Sequence, residues 1–278
     1  MLWKARPIHR LSATQVSENC VAVAGCHSLS VLFTIDTPIA ERIFMRRIYS
    51  SALVLAALIS APRTTVAQGQ TETSRAVSSG GISIPGWMGK IDANEEKAGR
   101  TLADAKLAKD GTGMKVTTGP SVTYWNPANK ASGNYTVTAT FTEAKYMNLN
   151  SHPHPYGIMI AGNDLGTDTQ SYLYCAAYGS GTFIVRGFGP ASFQMNGRGA
   201  PSDAVHKAAG PGAPVTQEIA IVVKGDKVDC VINGAVVASY DKAALVTPGK
   251  LKSTDGLYGI RFSHNTEATV TGLTYIKQ

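Results

Sequence analysis

Residues 217–241 constrain the fold of this chain more than any other segment. They contain three short runs rich in Val, Ile and Ala, which are separated by Gly225-Asp226 and Asn233-Gly234. Asn-Gly between apolar runs favours a tight hairpin, because both central residues of a type I′ turn need a positive φ. The segment therefore predicts a three-stranded antiparallel meander.

Turn length fixes the register of this meander. If each dipeptide forms a two-residue loop, Ile221 lies opposite Cys230, and Cys230 in turn lies opposite Val237. Because successive side chains of a strand point to opposite faces, Cys230 shares the apolar face with Ile221 and Val223. It is therefore expected to point into the core.

Short runs with the period of β-strands fill most of residues 113–276. Asn134–Thr142, for example, alternates Tyr, Val, Ala and Phe with polar residues, which is typical of a half-buried strand. Asn94–Lys109 is the only helix-compatible segment and is expected to form one or two short turns, while residues 190–214 predict a long loop. About eleven strands and almost no helix predict an all-β fold, an antiparallel jelly-roll β-sandwich that forms a single domain over residues 86–278.

The first 67 residues predict a secretory signal rather than a domain. Residues 45–67 combine a basic start, an apolar run at 52–59 and the small residues of Thr65-Val-Ala67. The apolar run is shorter than the ~20 residues that span a bilayer, so we expect no membrane span in the mature chain. Residues 1–44 are interpreted as an unstructured gene-start extension, with a cytosolic extension before an uncleaved anchor as the alternative. Residues 68–85 predict a flexible leader, and the protein is expected to be secreted or periplasmic.

The formal charge of +7 does not by itself indicate a nucleic-acid partner. Seven of the 26 basic residues and three of the 19 acidic residues lie within residues 1–67, which leaves about +3 for the rest of the chain. That balance is ordinary for a protein surface, so we expect no nucleic-acid partner. The chain also lacks the nucleophile elbow, phosphate loop, Cys-x-x-Cys and His-Glu-x-x-His motifs, and it shows no recognisable glycosidase dyad.

A hairpin around residues 179–181 carries the first candidate binding surface. A three-residue loop pairs Tyr174 with Arg186 and turns the intervening residues toward the core. One exposed face then carries Tyr172, Tyr174, Tyr178 and Arg186. Aromatic rings stack on sugars and Arg supplies a fork of donors, so this face predicts a glycan-binding platform. Tyrosine is also a common strand residue at half-exposed positions, which is the alternative explanation.

Two histidines form the second candidate. His152 and His154, each followed by Pro, lie two residues apart, so in an extended chain they point the same way. Such a pair could bind a transition metal or act as acid and base, which makes both residues the candidates for catalysis. No third ligand is evident nearby in the sequence, and a rigid structural loop explains the prolines equally well.

Calcium is the only cofactor that the sequence suggests, through Asn163, Asp164 and Asp168. These residues concentrate oxygen ligands around a glycine, although their spacing is not that of an EF-hand and plain turns have similar composition.

The cysteines divide evenly between the two parts of the chain. Cys20 and Cys26 lie in the N-terminal segment, whereas Cys175 and Cys230 are both expected to face the core of the sandwich. In an oxidising compartment they form either a disulfide or two buried thiols, depending on whether their Cα atoms approach to about 5.5–6 Å.

The closing segments carry a family resemblance. Lys224-Gly-Asp-Lys-Val-Asp-Cys-Val-Ile-Asn-Gly234, Gly256-Leu-Tyr-Gly-Ile-Arg-Phe262 and Val270-Thr-Gly-Leu-Thr-Tyr-Ile276 resemble the last strands of concanavalin A-like sandwiches. Laminin-G-like domains and secreted 3-keto-disaccharide hydrolase-type domains share this pattern. A group of secreted bacterial proteins shares the His-Pro-x-x-Tyr-Gly pattern, and the likeness covers roughly residues 113–277. It implies a jelly-roll and an extracellular or periplasmic setting, but no catalytic residue, because the fold hosts lectins, hydrolases and adhesion modules.

Three functions therefore stay open. The first is a non-enzymatic module that binds a glycan or a cell-surface polymer, and the second is a glycoside-cleaving hydrolase of the 3-keto-disaccharide type. The third is a structural envelope protein without a ligand. Histidines that converge with a carboxylate in a cleft would favour the enzyme, whereas an open tyrosine face far from them would favour binding.

Overall fold

The computed structural model describes residues 72–278. The expected signal segment and the cysteines at positions 20 and 26 lie outside these residues. Over the described part, two sheets stack as a β-sandwich, antiparallel except for one short edge pair, which confirms the predicted all-β fold. It is also the architecture that the concanavalin A-like resemblance implies.

Each sheet contains eight strands. The first sheet has the spatial order β1 (Gly81–Ile82), β3 (Ala105–Asp110), β4 (Gly113–Thr118), β16 (Glu267–Lys277), β6 (Tyr135–Glu143), β12 (Val215–Lys224), β13 (Lys227–Ile232) and β14 (Ala235–Asp241). The second has the order β10 (Ser192–Gln194), β9 (Thr182–Phe188), β8 (Ser171–Tyr178), β7 (Tyr156–Asn163), β15 (Gly256–Phe262), β5 (Val122–Ala131) and β2 (Met88–Ile91), with β11 (Ala200–Pro201) also paired to β9.

Helix is confined to short turns in the described residues. These are α1 (Ala93–Lys97), a 3₁₀ turn at Leu102–Asp104 and α2 (Lys242–Leu245). None of the helices within residues 72–278 has the length and apolar character that crossing a bilayer requires.

The core lies between the two sheets and is built by strand alternation. Strand β6 buries Tyr135, Val137, Ala139 and Phe141, while its threonines are only half-buried on the other face. The Phe141 ring lies 5.6 Å from the ring of Tyr156 on β7, centroid to centroid. Because β6 and β7 belong to different sheets, this contact joins them, and the apolar side chains exclude water between the layers.

A disulfide also crosses this interface. Cys175 on β8 is bonded to Cys230 on β13, with the two Cα atoms 5.8 Å apart. The sequence left a bridge and two thiols as alternatives, and the structure contains the bridge. Both cysteines are almost fully buried among core side chains, so the bond lies within the sandwich.

Most of the predicted register is present, with one correction. Ile221 lies opposite Cys230 as expected, but Cys230 lies opposite Ala238 and not opposite Val237. A β-bulge next to Cys230 places an extra residue in β14, which shifts the pairing by one. Turn length fixes register only where no bulge follows, so turn length alone does not predict this shift.

Strand β3 occupies a segment that was expected to form helical turns. Its Ala and Lys residues favour a helix, yet Ala105 and Leu107 are buried with the period of a strand. Pairing with β4 along its whole length overrides the weak local preference. The described residues contain sixteen strands rather than about eleven, and the additional ones include this strand and the short strands β1, β10 and β11.

The leader expected at residues 68–85 is not free over its described part. Strand β1 pairs in parallel with β3. The Arg75 amide donates to Asn265 Oδ1 at 3.0 Å, and Asn265 Nδ2 donates to the Thr73 carbonyl at 3.1 Å. Hydrogen bonds hold its first residues, and Ile82 and Ile84 pack against the core. The small polar residues that dominate the segment gave no signal of this docking.

Candidate functional site

One cleft of about 460 Å³ brings the tyrosine hairpin and the histidine loop together. Strands β8 and β9 form its floor, and β10 forms one wall. The loop before β7 and the turn after β15 form the opposite wall, with His154 and His264. In the sequence these were two separate candidates. Their proximity depends on the pairing of β7 with β8 and β15, which the sequence does not reveal.

The tyrosine face is buried rather than exposed, which corrects the sequence interpretation. Tyr174, Tyr178 and Arg186 line the cleft, but Tyr174 is only 7% exposed. Tyr172 does not line it and is 1% exposed. Its hydroxyl accepts a hydrogen bond from Thr123 Oγ1 at 2.9 Å. The open platform expected from alternation is therefore a partly covered cleft.

Neighbouring side chains bury Tyr172 and Tyr174: the Phe188 ring lies 5.0 Å from the Tyr172 ring, and the Arg261 guanidinium carbon lies 5.6 Å from the Tyr174 ring. The loop between β9 and β12 is held against β9. Asn196 Oδ1 accepts from the Val185 amide at 2.9 Å, and Asn196 Nδ2 donates to the Phe183 carbonyl at 3.1 Å. The Asn196 side chain thus pairs with the backbone of β9 as another strand would. Arg186 Nη2 donates to the Gly197 carbonyl at 3.3 Å. The sequence predicted a loop here but carried no sign that it folds back over the sheet.

A buried ion pair that the sequence analysis missed lies at one end of the cleft. Arg261 on β15 donates to Asp92 through both terminal nitrogens, at 2.7 and 2.5 Å. Its guanidinium carbon also lies 5.6 Å from the ring centroid of Tyr174 and 5.5 Å from that of Phe188. Burial alone would lower the pKa of Arg261, but the Asp92 carboxylate raises it overall, so the guanidinium stays charged. The sequence contained one sign of this ion pair: Arg261 is a charged residue within the otherwise apolar strand pattern Gly-x-Arg-Phe.

Arg186 is the second cation of the cleft and is less completely paired. Its side chain is half-buried, and its Nε is buried without a hydrogen-bond partner among the described residues. Buried donors are normally paired, so this guanidinium has hydrogen-bonding capacity that the fold does not use.

Acidic groups are scarce in the cleft. Within residues 72–278, Asp92 is the one carboxylate that lines it, and both of its oxygens accept from Arg261. Glycoside cleavage by the common route needs two carboxyl groups on either side of the bond. The described lining does not provide such a pair.

The histidine wall contains more than the two residues seen in the sequence. His154 Nδ1 pairs with the His264 carbonyl at 2.5 Å, and His154 Nε2 lies 2.8 Å from His152 Nε2. Glu72 Oε2 lies 3.7 Å from His154 Nε2 and 3.6 Å from His152 Nδ1. Burial, reinforced by the neighbouring imidazoles, lowers the pKa of His154 to about 3, and burial also lowers the pKa of His264. His264 and Glu72 are distant in sequence, so spacing could not reveal them.

The candidate calcium residues lie in a surface turn away from the cleft. Lys252 forms an ion pair with Asp164, and Asn163 Nδ2 donates to the Ala161 and Asp255 carbonyls at 3.0 and 2.9 Å. A lysine thus already neutralises the Asp164 carboxylate. The calcium site at Asn163, Asp164 and Asp168 stays a prediction.

Comparison with known proteins finds no matching family model and no matching curated protein. Solved structures with a similar architecture include the carbohydrate binding module CBM66 from Bacillus subtilis. It has a TM-score of 0.41 and 11% identity, over 70% of this chain and 97% of that one. The Ca²⁺-bound exoplasmic/lumenal domain of VIP36 has a TM-score of 0.45 and 10% identity, over 73% and 86%. The catalytic domain of an endo-1,3-beta-glucanase (laminarinase) from Thermotoga petrophila RKU-1 has a TM-score of 0.38 and 13% identity, over 70% and 91%. At these scores and identities the similarity says nothing about the ligand of this chain.

Proposed function

We propose that the cleft binds a saccharide and that the protein is a carbohydrate-binding module. The observation that carries this proposal is the grouping of aromatic rings with two guanidinium groups over one sheet face. Aromatic rings pack on the apolar faces of sugars, and Arg offers several donors to hydroxyl oxygens. The volume of about 460 Å³ falls in the ~300–1,000 Å³ range of small-molecule sites.

The charge of the cleft favours a neutral sugar over a polyanion. Asp92 neutralises Arg261 through two hydrogen bonds, and the low pKa of His154 keeps that imidazole uncharged near pH 7. Arg186 is then the main cation left for a ligand. One guanidinium suits hydroxyl and ring oxygens, whereas a polyanionic ligand needs several unpaired basic groups.

The disulfide supports the extracellular or periplasmic setting that such a module needs. Cys175 and Cys230 are bonded within the core, and disulfides of this kind persist mainly in oxidising compartments. A glycan or cell-surface polymer is the corresponding partner.

Glycoside cleavage is the second candidate function, and one observation favours it. His152 and His154 line the same cleft, and Glu72 lies next to them, so the three groups could move a proton. The one carboxylate of the described lining, Asp92, is paired with Arg261, however, so binding accounts for more of the arrangement. Enzyme assays with oxidised and ordinary disaccharides test this alternative. If the protein cleaves one of them and His154→Ala abolishes the cleavage, the protein is a glycoside hydrolase.

The binding proposal is tested with two variants of the cleft. Glycan-array profiling identifies a ligand, and calorimetry then compares the native chain with Arg186→Met and Tyr178→Ala. We expect Arg186→Met to bind roughly tenfold more weakly or worse, because a hydrogen bond from a charged donor contributes about 1.5–3 kcal/mol. Tyr178→Ala should also weaken binding, because it removes an aromatic ring from the cleft lining.

Lys224→Met is the matched control, since Lys224 is an exposed cation on the first sheet. It should bind as the native chain does, and thermal melts should show that all three variants are folded. Binding that survives both cleft substitutions would show that the ligand lies elsewhere. If the array contains no ligand at all, the structural-protein alternative gains.

A further inference from the structure

We propose that His152, His154 and Glu72 form a binding site for a divalent transition-metal ion such as Zn²⁺ at the wall of the cleft. This inference is independent of saccharide binding, because it uses none of the tyrosine or arginine side chains. It rests on the geometry of the donor atoms, on the hydrogen bond that orients His154, and on the open access to the cluster.

The donor atoms already lie at nearly the spacing of a metal centre. His154 Nε2 is 2.8 Å from His152 Nε2 and 3.7 Å from Glu72 Oε2. With bonds of about 2.0–2.2 Å to nitrogen or oxygen, two ligands of a tetrahedral ion are roughly 3.3 Å apart. Changes of less than about 1 Å in these two distances would bring both partners of His154 Nε2 to the spacing of a metal centre. Two His and one Glu with a remaining open position is a known donor set for catalytic zinc.

The orientation of His154 favours ligation. A carbonyl can only accept, so the 2.5 Å contact with the His264 carbonyl means that His154 Nδ1 carries the proton. Nε2 then presents its lone pair toward His152 and Glu72. Metal-binding histidines are commonly fixed in this way, by a hydrogen bond from the other ring nitrogen to a backbone carbonyl.

His264 serves to position His154 rather than to bind the ion directly. One nitrogen of its ring lies within 4.8 Å of nitrogens of both other histidines. Its ring is stacked on that of His154, however, with centroids 4.0 Å apart and an interplanar angle of 23°. A metal lies near the plane of each imidazole that binds it, so two stacked rings cannot share one ion. The stack and the carbonyl together hold His154 in place.

The cluster is reachable from solvent on one side. The side chain of His152 is 53% exposed, while those of Glu72 and His154 are 15% and 4% exposed. Arg75 is near Glu72 Oε1 at 3.8 Å, and the Ser151 amide donates to both Glu72 oxygens, at 3.1 Å to Oε1 and 3.3 Å to Oε2. A carboxylate oxygen has two lone pairs, so Oε2 can accept from Ser151 and still bind an ion. An ion can enter past His152 and meet two ligands that the fold already holds.

Zinc titration of the full, untagged chain after treatment with a chelator tests the proposal. Calorimetry should show an ion that binds with micromolar or tighter affinity in the native protein. His152→Ala and Glu72→Gln should each weaken this binding at least tenfold. His206→Ala is the control, because His206 is exposed and its Nδ1 pairs with the Thr216 carbonyl outside the cleft.

Substitution with Co²⁺ provides a second readout, since its visible spectrum reports nitrogen ligation and should change in His152→Ala but not in His206→Ala. Any site within the first 67 residues contributes equally to every variant, so the differences isolate this cluster. Circular dichroism verifies that the variants fold. No saturable zinc binding in the native chain, or binding that both cluster variants retain, would overturn the proposal. Neither result bears on saccharide binding, which Arg186→Met tests separately.

Discussion

Reduction of the Cys175–Cys230 bond should cost the protein a large part of its stability. The bond joins residues 55 positions apart, so in the unfolded chain it closes a loop of that length. The chain-entropy relation assigns about 14 cal/mol/K to such a loop, which is about 4 kcal/mol at 25 °C. Because the bridge links β8 to β13, it restrains one strand from each sheet.

Denaturant unfolding at pH 7, followed by tryptophan fluorescence with and without a phosphine reductant, measures this contribution. Reduction changes no side-chain volume apart from the bond itself, so it avoids the cavity that a core substitution leaves. We expect the free energy of unfolding to fall by about 4 kcal/mol. In thermal melts this corresponds to a decrease in Tm of about 8–16 °C, at about 2–4 °C per kcal/mol for a domain of this size.

The double variant Cys175→Ala/Cys230→Ala is the control. Its stability should be low and insensitive to the reductant, even though Cys20 and Cys26 are still present in the chain. A loss below about 1 kcal/mol on reduction of the native protein would refute the reasoning. It would mean that the unfolded chain gains little freedom when the bond is broken.

Two further predictions concern packing and pH. Gly157→Ala should destabilise the protein by about 3 kcal/mol, because a Cβ at this position would lie 2.0 Å from the Cys175 carbonyl oxygen. Gly210→Ala, where a Cβ meets no atom within 4 Å, should be close to neutral in the same thermal melts, and equal losses would contradict the packing argument. Burial raises the pKa of Glu143 from 4.5 to about 7, so the native state holds a proton that the unfolded state releases. Stability from this group is therefore complete below pH 4.5 and declines by about 3 kcal/mol as pH rises to 7. Glu143→Gln should gain that amount relative to the native chain between pH 4 and pH 8 in denaturant titrations, and a constant difference between the two would count against it.

Local alternation predicted most of the strands and their faces. In β6, apolar residues such as Val137 and Phe141 alternate with threonine, and tertiary contacts have no reason to override so regular a pattern. Tight turns likewise fixed the pairings of Tyr174 with Arg186 and of Ile221 with Cys230. These features depend on neighbours in sequence, so the sequence contains them.

The sequence predicted some residues of the site but not their grouping, because the site is assembled by contacts between distant segments. Glu72 precedes the first strand and Asp92 directly follows β2, and nothing in their local sequence relates them to Arg261 or His154. The burial of Tyr174 depends on Arg261 from another strand, whose guanidinium carbon lies 5.6 Å from the Tyr174 ring centroid. Sequence patterns specify which face a side chain occupies but not which distant residues cover it.

The β-bulge between β13 and β14 also matters for association between molecules. Strand β14 is the outermost strand of the first sheet, where a straight ladder would offer unpaired amides and carbonyls to another chain. Val236 is 60% exposed there, and its apolar side chain would favour contact between such an edge and another molecule. The extra residue at Val237 bends and twists the strand, which disfavours continuation of the hydrogen-bond ladder by a second molecule. The displaced pairing of Cys230 is thus the internal counterpart of an edge that is poorly shaped for strand addition.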